Sequence, residues 1–463
     1  MKLHSQKNNR LQRPFSSSWV ESHVKFQALF SDKRVKLKKY NIAYPIHHHE
    51  LTNGLTILVV EDDSLPMINY NTTFKAGSRN EFQKTESRHG ITGISHLFEH
   101  MMFNGSKKFG AGEFDRLLES NGGYSNAWTS KDMTSYYEVF PSSKLELIVD
   151  MESDRMSNLD LTETMFLSEK EVVKEEHRMS VENSIPGTMW EMMYKHAFSV
   201  HPYHWPVIGW MEDLNQITLD DCKSYYKQLY SPSNAVISMA GNVKADTAFK
   251  LIESKYGDIS GFDIPSTVFP NEKFNTGEKR IELHRPAEIE SWLMGYLCCE
   301  GNHPHMPALD IIQQILLNGD SSQLVHSLVH DQSLVIDISG AFNWGIDPNL
   351  FYFGFRVPPG KSGENALDQF TNHLEKLALN PVSNRELDKA KNQLISELVH
   401  DNSTLMGKCA DISGYSIIFD DPKLVFNMID RYLQVTVKDI QTVAEKYLTP
   451  DNRTIIQLIP QSI

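Results

Sequence analysis

Two histidines and a glutamate within five residues, His96-Leu97-Phe98-Glu99-His100, carry the strongest chemical signal in the chain. On a helix, side chains at i and i+4 share a face, so His96 and His100 reach one point from adjacent turns. Two neutral imidazoles and one further ligand bind zinc with a position left for water. A carboxylate beside them can take that water's proton as it attacks a carbonyl, and Glu99 is so placed. Two surface histidines would also satisfy so short a pattern, so it needs a third ligand and a context that agrees with it.

The run 163–176, Glu-Thr-Met-Phe-Leu-Ser-Glu-Lys-Glu-Val-Val-Lys-Glu-Glu, is built of strong helix formers and offers several carboxylates. Glu169 and Glu176 are seven apart and share a face, whereas Glu175 points about 100° away from Glu176. A solvated acidic helix accounts for the same run. Residue types alone therefore leave the third ligand open.

A series of short motifs surrounds this pair of segments. In order they are Leu51-Thr52-Asn53-Gly54-Leu55, Ala76-Gly77-Ser78-Arg79-Asn80-Glu81, the run 93–106 that contains the histidines, Asn126-Ala127-Trp128-Thr129, Val207-Ile208-Gly209, and Tyr230-Ser231-Pro232-Ser233-Asn234-Ala235. Together they resemble the pitrilysin/insulinase family of zinc metallopeptidases, in the short two-domain form of the mitochondrial processing peptidases and their bacterial relatives. The order His-x-x-Glu-His is the inverzincin signature of that family. The resemblance implies one Zn2+ per chain, held by His96, His100 and Glu176, with Glu99 as general base and Glu169 as a supporting carboxylate; Glu175 replaces Glu176 if the alignment slips by one residue. It also implies an α+β fold of two homologous domains, each an antiparallel sheet packed with helices. Asn126 and Ala127 would lie on an edge strand along which extended peptide pairs, while Trp128 has packing as a competing role.

Two positions depart from the family. Active members carry an arginine and a tyrosine, seven residues apart, that stabilise the tetrahedral oxyanion, and here Val329 and Ile336 stand in their places. Neither side chain donates a hydrogen bond, and His330 is the neighbouring substitute. The acidic pair with which processing peptidases read arginine falls near Pro186 and Trp190. The resemblance thus implies the zinc-bearing half of a heterodimer, with a homologous partner subunit carrying the Arg/Tyr pair and peptides as substrates. The alternative is a catalytically weak structural or binding subunit.

An internal duplication stands without any family. Ile217-Thr218, Asp221, Pro232 and Asn234 recur as Val435-Thr436, Asp439, Pro450 and Asn452, each 218 positions later. Two copies of so long a unit predict two homologous domains rather than a solenoid. Upstream, Met101-Met102-Phe103-Asn104-Gly105 resembles Ile315-Leu316-Leu317-Asn318-Gly319, which sets Asp310, Gln313 and Gln314 opposite His96, Glu99 and His100. Glutamine is neither a good zinc ligand nor a base, so the second copy is expected to bind no metal.

The elements that must hold these residues follow from length and pattern. The 463 residues exceed what one core supports. We expect an N-terminal extension at 1–39, a zinc-binding domain at 40–256, a linker rich in Gly, Pro, Asn and Thr at 257–277, and the second copy at 278–463. Within them, 56–60 and 235–240 read as strands, and 94–103, 145–156, 323–329 and 384–402 as helices. Hydrophobic residues at 40% and charged residues at 22% mark a globular chain. A net charge of −14 opposes nucleic-acid binding. Four scattered cysteines make no disulfide framework, and His47-His48-His49 reads as an exposed strand entry. No run approaches the roughly 20 apolar residues of a transmembrane segment. The basic start lacks the apolar core of a signal peptide, so the expected location is cytoplasmic, or periplasmic if the start is misassigned.

Overall fold

The computed structural model describes residues 43–262, 269–274 and 276–461. The expected extension at 1–39 lies outside these residues, as does part of the expected linker.

The first half builds a six-stranded sheet from β1 (His47–Glu50), β2 (Thr56–Glu61), β3 (Met67–Phe74), β4 (Tyr124–Thr129), β5 (Thr134–Pro141) and β6 (Ala235–Gly241), in the order β1-β2-β6-β3-β5-β4. The second half builds a five-stranded sheet from β7 (Lys279–Pro286), β8 (Glu290–Leu297), β9 (Asp337–Phe342), β10 (Leu350–Val357) and β11 (Arg453–Gln461), in the order β7-β11-β8-β10-β9. Every pairing is antiparallel, as expected, except β2 with β6 and β7 with β11. The exception is topological. The last strand of each half inserts between two consecutive strands that run in opposite directions, so it must lie parallel to one of them. Each domain is therefore a mixed sheet packed with helices.

Helices α1 (Ile94–Met101), α2 (Leu145–Asn158), α3 (Glu163–His177), α4 (Ile185–Ala197) and α5 (Leu219–Leu229) belong to the first half; α6 (Met306–Leu317), α7 (Asn384–Asp401), α8 (Leu405–Phe419) and α9 (Val437–Tyr447) belong to the second. The segment expected as a helix at 323–329 continues as a wide π-type turn, Val325–Asp331. No helix of the described residues is long and apolar enough to cross a membrane. All four cysteines are free and buried.

Strand periodicity explains why two helices cross between the halves. Along β6, Ala235, Ile237 and Met239 face the first half's main core, while Val236 and Ala240 face the other side. That second face is covered by Cys409, Ile412 and Ile417 of α8, from the other half of the chain. Reciprocally, Trp292, Met294 and Tyr296 of β8 face the second half's core, and Leu293 and Leu297 meet Met189 and Met193 of α4. Each half thus lends one helix to the sheet of the other.

The duplication is visible bond by bond. Thr218 and Thr436 cap α5 and α9 through reciprocal bonds with Asp221 and Asp439. Asn234 donates its amide to Leu229 O at 2.9 Å and Lys75 O at 3.1 Å, and Asn452 donates to Tyr447 O and Leu297 O at 2.8 Å each. Since loss of either amide strands two carbonyls, Asn234→Ala and Asn452→Ala should each lower stability, by about 2 kcal/mol. Denaturant unfolding should give similar losses for the two. A large loss for one and none for the other would show that the bonds do not carry equal weight.

Candidate metal centre

Helix α1 has eight residues and begins at Gly93, which adopts φ +90° and offers no capping side chain. A Cβ there would lie 2.4 Å from Ile208 O, and one on Gly209 would lie 2.3 Å from Thr92 O. Only glycine at both positions lets these two backbones meet. The unpaired amides at the head of α1 are met from elsewhere. The buried carboxylate of Glu81 accepts from Gly93 N at 2.8 Å and Ser95 N at 2.9 Å. Burial pushes that carboxyl up to about 8 against the pull of these same bonds.

The apolar face of α1, with Ile94, Leu97, Phe98 and Met101, is buried, and Phe98 packs among Tyr225, Tyr226 and Tyr230. This leaves His96, Glu99 and His100 on the face toward α3. There His96 Nε2 lies 3.8 Å and His100 Nε2 3.4 Å from Glu176 Oε2. The three side chains each offer a ligand atom, and all these atoms lie within 4.8 Å of one another. Two imidazole nitrogens and one carboxylate oxygen converging on one point form a donor set that fits zinc. Behind it, Glu169 stands 3.6 Å from His100 Nδ1, on the ring nitrogen turned away from the convergence. Glu175 faces outward and binds Arg178 at 2.9 Å. Of the carboxylates that the sequence left open, only Glu176 joins the two histidines.

Electrostatics differ sharply between the two imidazoles. Burial, with His100 nearby, lowers His96 to about 4 despite Glu176. Burial also opposes charge on His100, but the carboxylates of Glu169 and Glu176 outweigh it and raise this group to about 9. The His100 bond in turn holds the Glu176 carboxyl below its usual range. Glu99 is moved the other way, upward, by burial, while the Thr129 hydroxyl donates to its Oε2.

Thr129 ends β4, so the same strand touches Glu99 and forms the open edge of the sheet. Asn126 and Ala127 lie on this edge, the Asn126 side chain accepting from Ala127 N. Trp128, for which packing was a competing role, is 43% exposed. Val329 is half-buried against the second half's core, Ile336 is 39% exposed, and His330 is exposed.

The fold and the helix-borne cluster invite comparison with known proteins. A family model described as insulinase (peptidase family M16) matches residues 57–209, and one described as peptidase M16 inactive domain matches residues 216–394. The chain belongs to the insulinase family of peptidases. It is 31% identical over 422 residues to the zinc protease PqqE of Helicobacter pylori (strain ATCC 700392 / 26695), covering 89% of this chain and 92% of that protein. It is also 23% identical over 410 residues to the zinc protease YmxG of Bacillus subtilis (strain 168), covering 88% and 96%. A crystal structure of a protease from Helicobacter pylori superposes with a TM-score of 0.84 at 28% identity, over 90% of this chain and all of that one.

Two residues of the site escaped sequence reasoning in their roles. Glu81 and Thr129 both stand inside motifs noted above, but nothing in a linear sequence says that one carboxylate will cap a helix twelve residues on or that one hydroxyl will bond Glu99. Loss of the Glu81 carboxylate leaves two buried amides unpaired, so Glu81→Ala should destabilise the protein by roughly 2–4 kcal/mol. Glu81→Gln, which keeps one acceptor oxygen, should lose about half as much. Thermal and denaturant melts of the two variants check the order.

Proposed function

We propose that this chain is a zinc endopeptidase subunit, with His96, His100 and Glu176 holding one zinc ion and Glu99 acting as general base. The observation that carries the reading is the convergence of those three ligands within 4.8 Å, beside the half-buried carboxylate of Glu99 on the helix that bears both histidines. The domain division at 40–256, 257–277 and 278–463 belongs to the same proposal.

A bound zinc would supply Lewis acidity, polarising the scissile carbonyl and making water a nucleophile at neutral pH. Glu99 takes the proton of the attacking water and returns it to the departing amine. A carboxyl raised above its usual range by burial suits a group that must both accept and donate. Thr129 fixes the orientation of that carboxyl. Glu169 holds His100 by Nδ1 and so keeps its Nε2 toward the ligand cluster. Extended peptide pairs along the open edge of β4 through backbone bonds at Asn126 and Ala127, which gives affinity with little sequence preference.

Val329 and Ile336 supply no oxyanion donor, and one matched family model is described as an inactive domain. This supports a divided site, in which a homologous subunit closes a chamber over the zinc and brings the Arg/Tyr pair. The competing reading is a binding subunit without turnover.

Purified protein should contain about one zinc per chain, as a site of three protein ligands requires. His96→Ala and Glu176→Gln should lose most of it. Glu99→Gln should keep its metal while hydrolysis falls by about 10²–10⁴. Metal content by mass spectrometry and cleavage of a quenched peptide library decide this, and unchanged metal in both ligand variants overturns the assignment.

Assembly makes a separate prediction. Each missing oxyanion donor costs about 10²–10³ in rate, so the isolated chain should be nearly inactive and a partner bearing Arg and Tyr should restore turnover. An isolated chain that cleaves as fast as any reconstituted mixture contradicts the divided site.

A further inference from the structure

A cavity of about 760 Å³ opens in the second half, between the wide turn Val325–Asp331, the helix Gly363–Leu379 and the first turn of α7. Its size lies within the range of pockets that enclose a small ligand. The turn is closed around one serine. Gln332 N donates to Ser327 O at 3.1 Å, a bond between residues five apart, and Ser333 then leaves in a left-handed conformation, φ +48°, that residues with a side chain seldom adopt. Wide turns and strained exits of this kind gather at functional sites. Here they fold Gln332 back, so that its side-chain amide donates to Ser327 Oγ at 2.9 Å.

Ser327 Oγ also lies 2.9 Å from His373 Nε2, and both side chains stand half-buried in the wall of the cavity. A primary amide nitrogen only donates, so Gln332 occupies the serine oxygen and leaves the hydroxyl proton for the imidazole. His373 is suited to take it. Burial, with the Lys376 ammonium nearby, holds the ring below its ordinary range and so neutral at pH 7. The carboxylates of the cavity are engaged, Asp331 with His326 at 3.0 Å and Glu386 with Gln323 at 3.0 Å. The Lys376 ammonium, three residues from His373 and on the same face of its helix, is thereby left for a ligand. Leu377 and Val382 add an apolar wall.

We propose that Ser327 and His373 form a nucleophile and base in a second reactive site, which takes small carboxylic esters with a short apolar acyl group. The site needs no metal and goes beyond the peptidase reading. Ser327 Oγ attacks the ester carbonyl carbon while His373 Nε2 takes the hydroxyl proton. The C–O bond to the alcohol then breaks, and the alcohol leaves with the proton from His373. Water gives its proton to His373 and attacks the acyl group on Ser327, the bond to Oγ breaks, and the proton returns to the serine. Ester and water thus become acid and alcohol. The Lys376 ammonium meets the negative charge that develops on the carbonyl oxygen, and the apolar wall receives the acyl chain.

The test treats the full chain with a fluorophosphonate, whose phosphorus a reactive serine attacks with loss of fluoride, and maps the adduct by peptide mass spectrometry. Ser327 should carry the label. His373→Gln should slow labelling by about 100-fold or more, the scale of a lost general base, and hydrolysis of p-nitrophenyl butyrate should fall with it. Ser327→Ala removes one half-buried hydroxyl and should abolish both signals while the thermal melt stays in place. Labelling of the parent chain in urea should be lost, because the pair exists only in the fold. Chelation of metal, or His96→Ala, should leave both signals unchanged, which keeps this site separate from the zinc reading. Absence of label on Ser327 in the folded parent chain, labelling that persists in urea or in His373→Gln, or signals that vanish with the metal overturn the proposal.

Discussion

The candidate metal centre depends on how one short helix is seated. Eight residues are too few for a helix to persist in water, and α1 lacks a capping side chain of its own. Three contacts define it: the Glu81 carboxylate on its first amides, the Gly93–Gly209 backbone approach, and Phe98 among three tyrosines. The interior is close-packed, so these contacts fix the rotation of the helix and not merely its position. Rotation decides whether His96 and His100 face Glu176.

The second half shows what the same architecture does without the chemistry. At the positions of His96, Glu99 and His100 it carries Asp310, Gln313 and Gln314 on α6. Asp310 accepts from Trp344 and Tyr432, Gln313 from Phe342 N, and Gln314 donates to Glu397 on α7 at 3.0 Å. Asn318, the counterpart of Asn104, also turns toward Gln314. The relation of Glu169 to His100 thus has a neutral echo, in which a helix-borne carboxylate still holds the side chain of the neighbouring helix. Groups that would face a metal in the first copy stitch helices together in the second.

Between the halves, the exchange of α4 and α8 buries the outer face of each sheet. A second device is polar. Arg79 reaches Asp132 in its own half and Asp347 in the other, and His201 joins Asp347 at 3.0 Å. Buried charges persist only when they are paired in this way. The pairing fixes the loop 345–347 against the turn after β4.

Much of this was legible in the sequence. Helical spacing put His96 and His100 on one face, period-7 spacing put Glu169 with Glu176, and the 218-residue repeat pointed to two domains, while the capping role shared by Thr218 and Thr436 emerged only in the structure. The two helical spacings are local patterns, fixed by backbone geometry within a few turns. Tertiary structure alone decided the rest. It chose Glu176 over Glu175, because only the packing of α1 on α3 determines which carboxylate faces the imidazoles. It made each sheet mixed, because insertion of β6 and β11 is a matter of strand order. It also gave Glu81 and Thr129 their places. Those contacts join residues far apart in the chain, and side-chain types do not encode their distances.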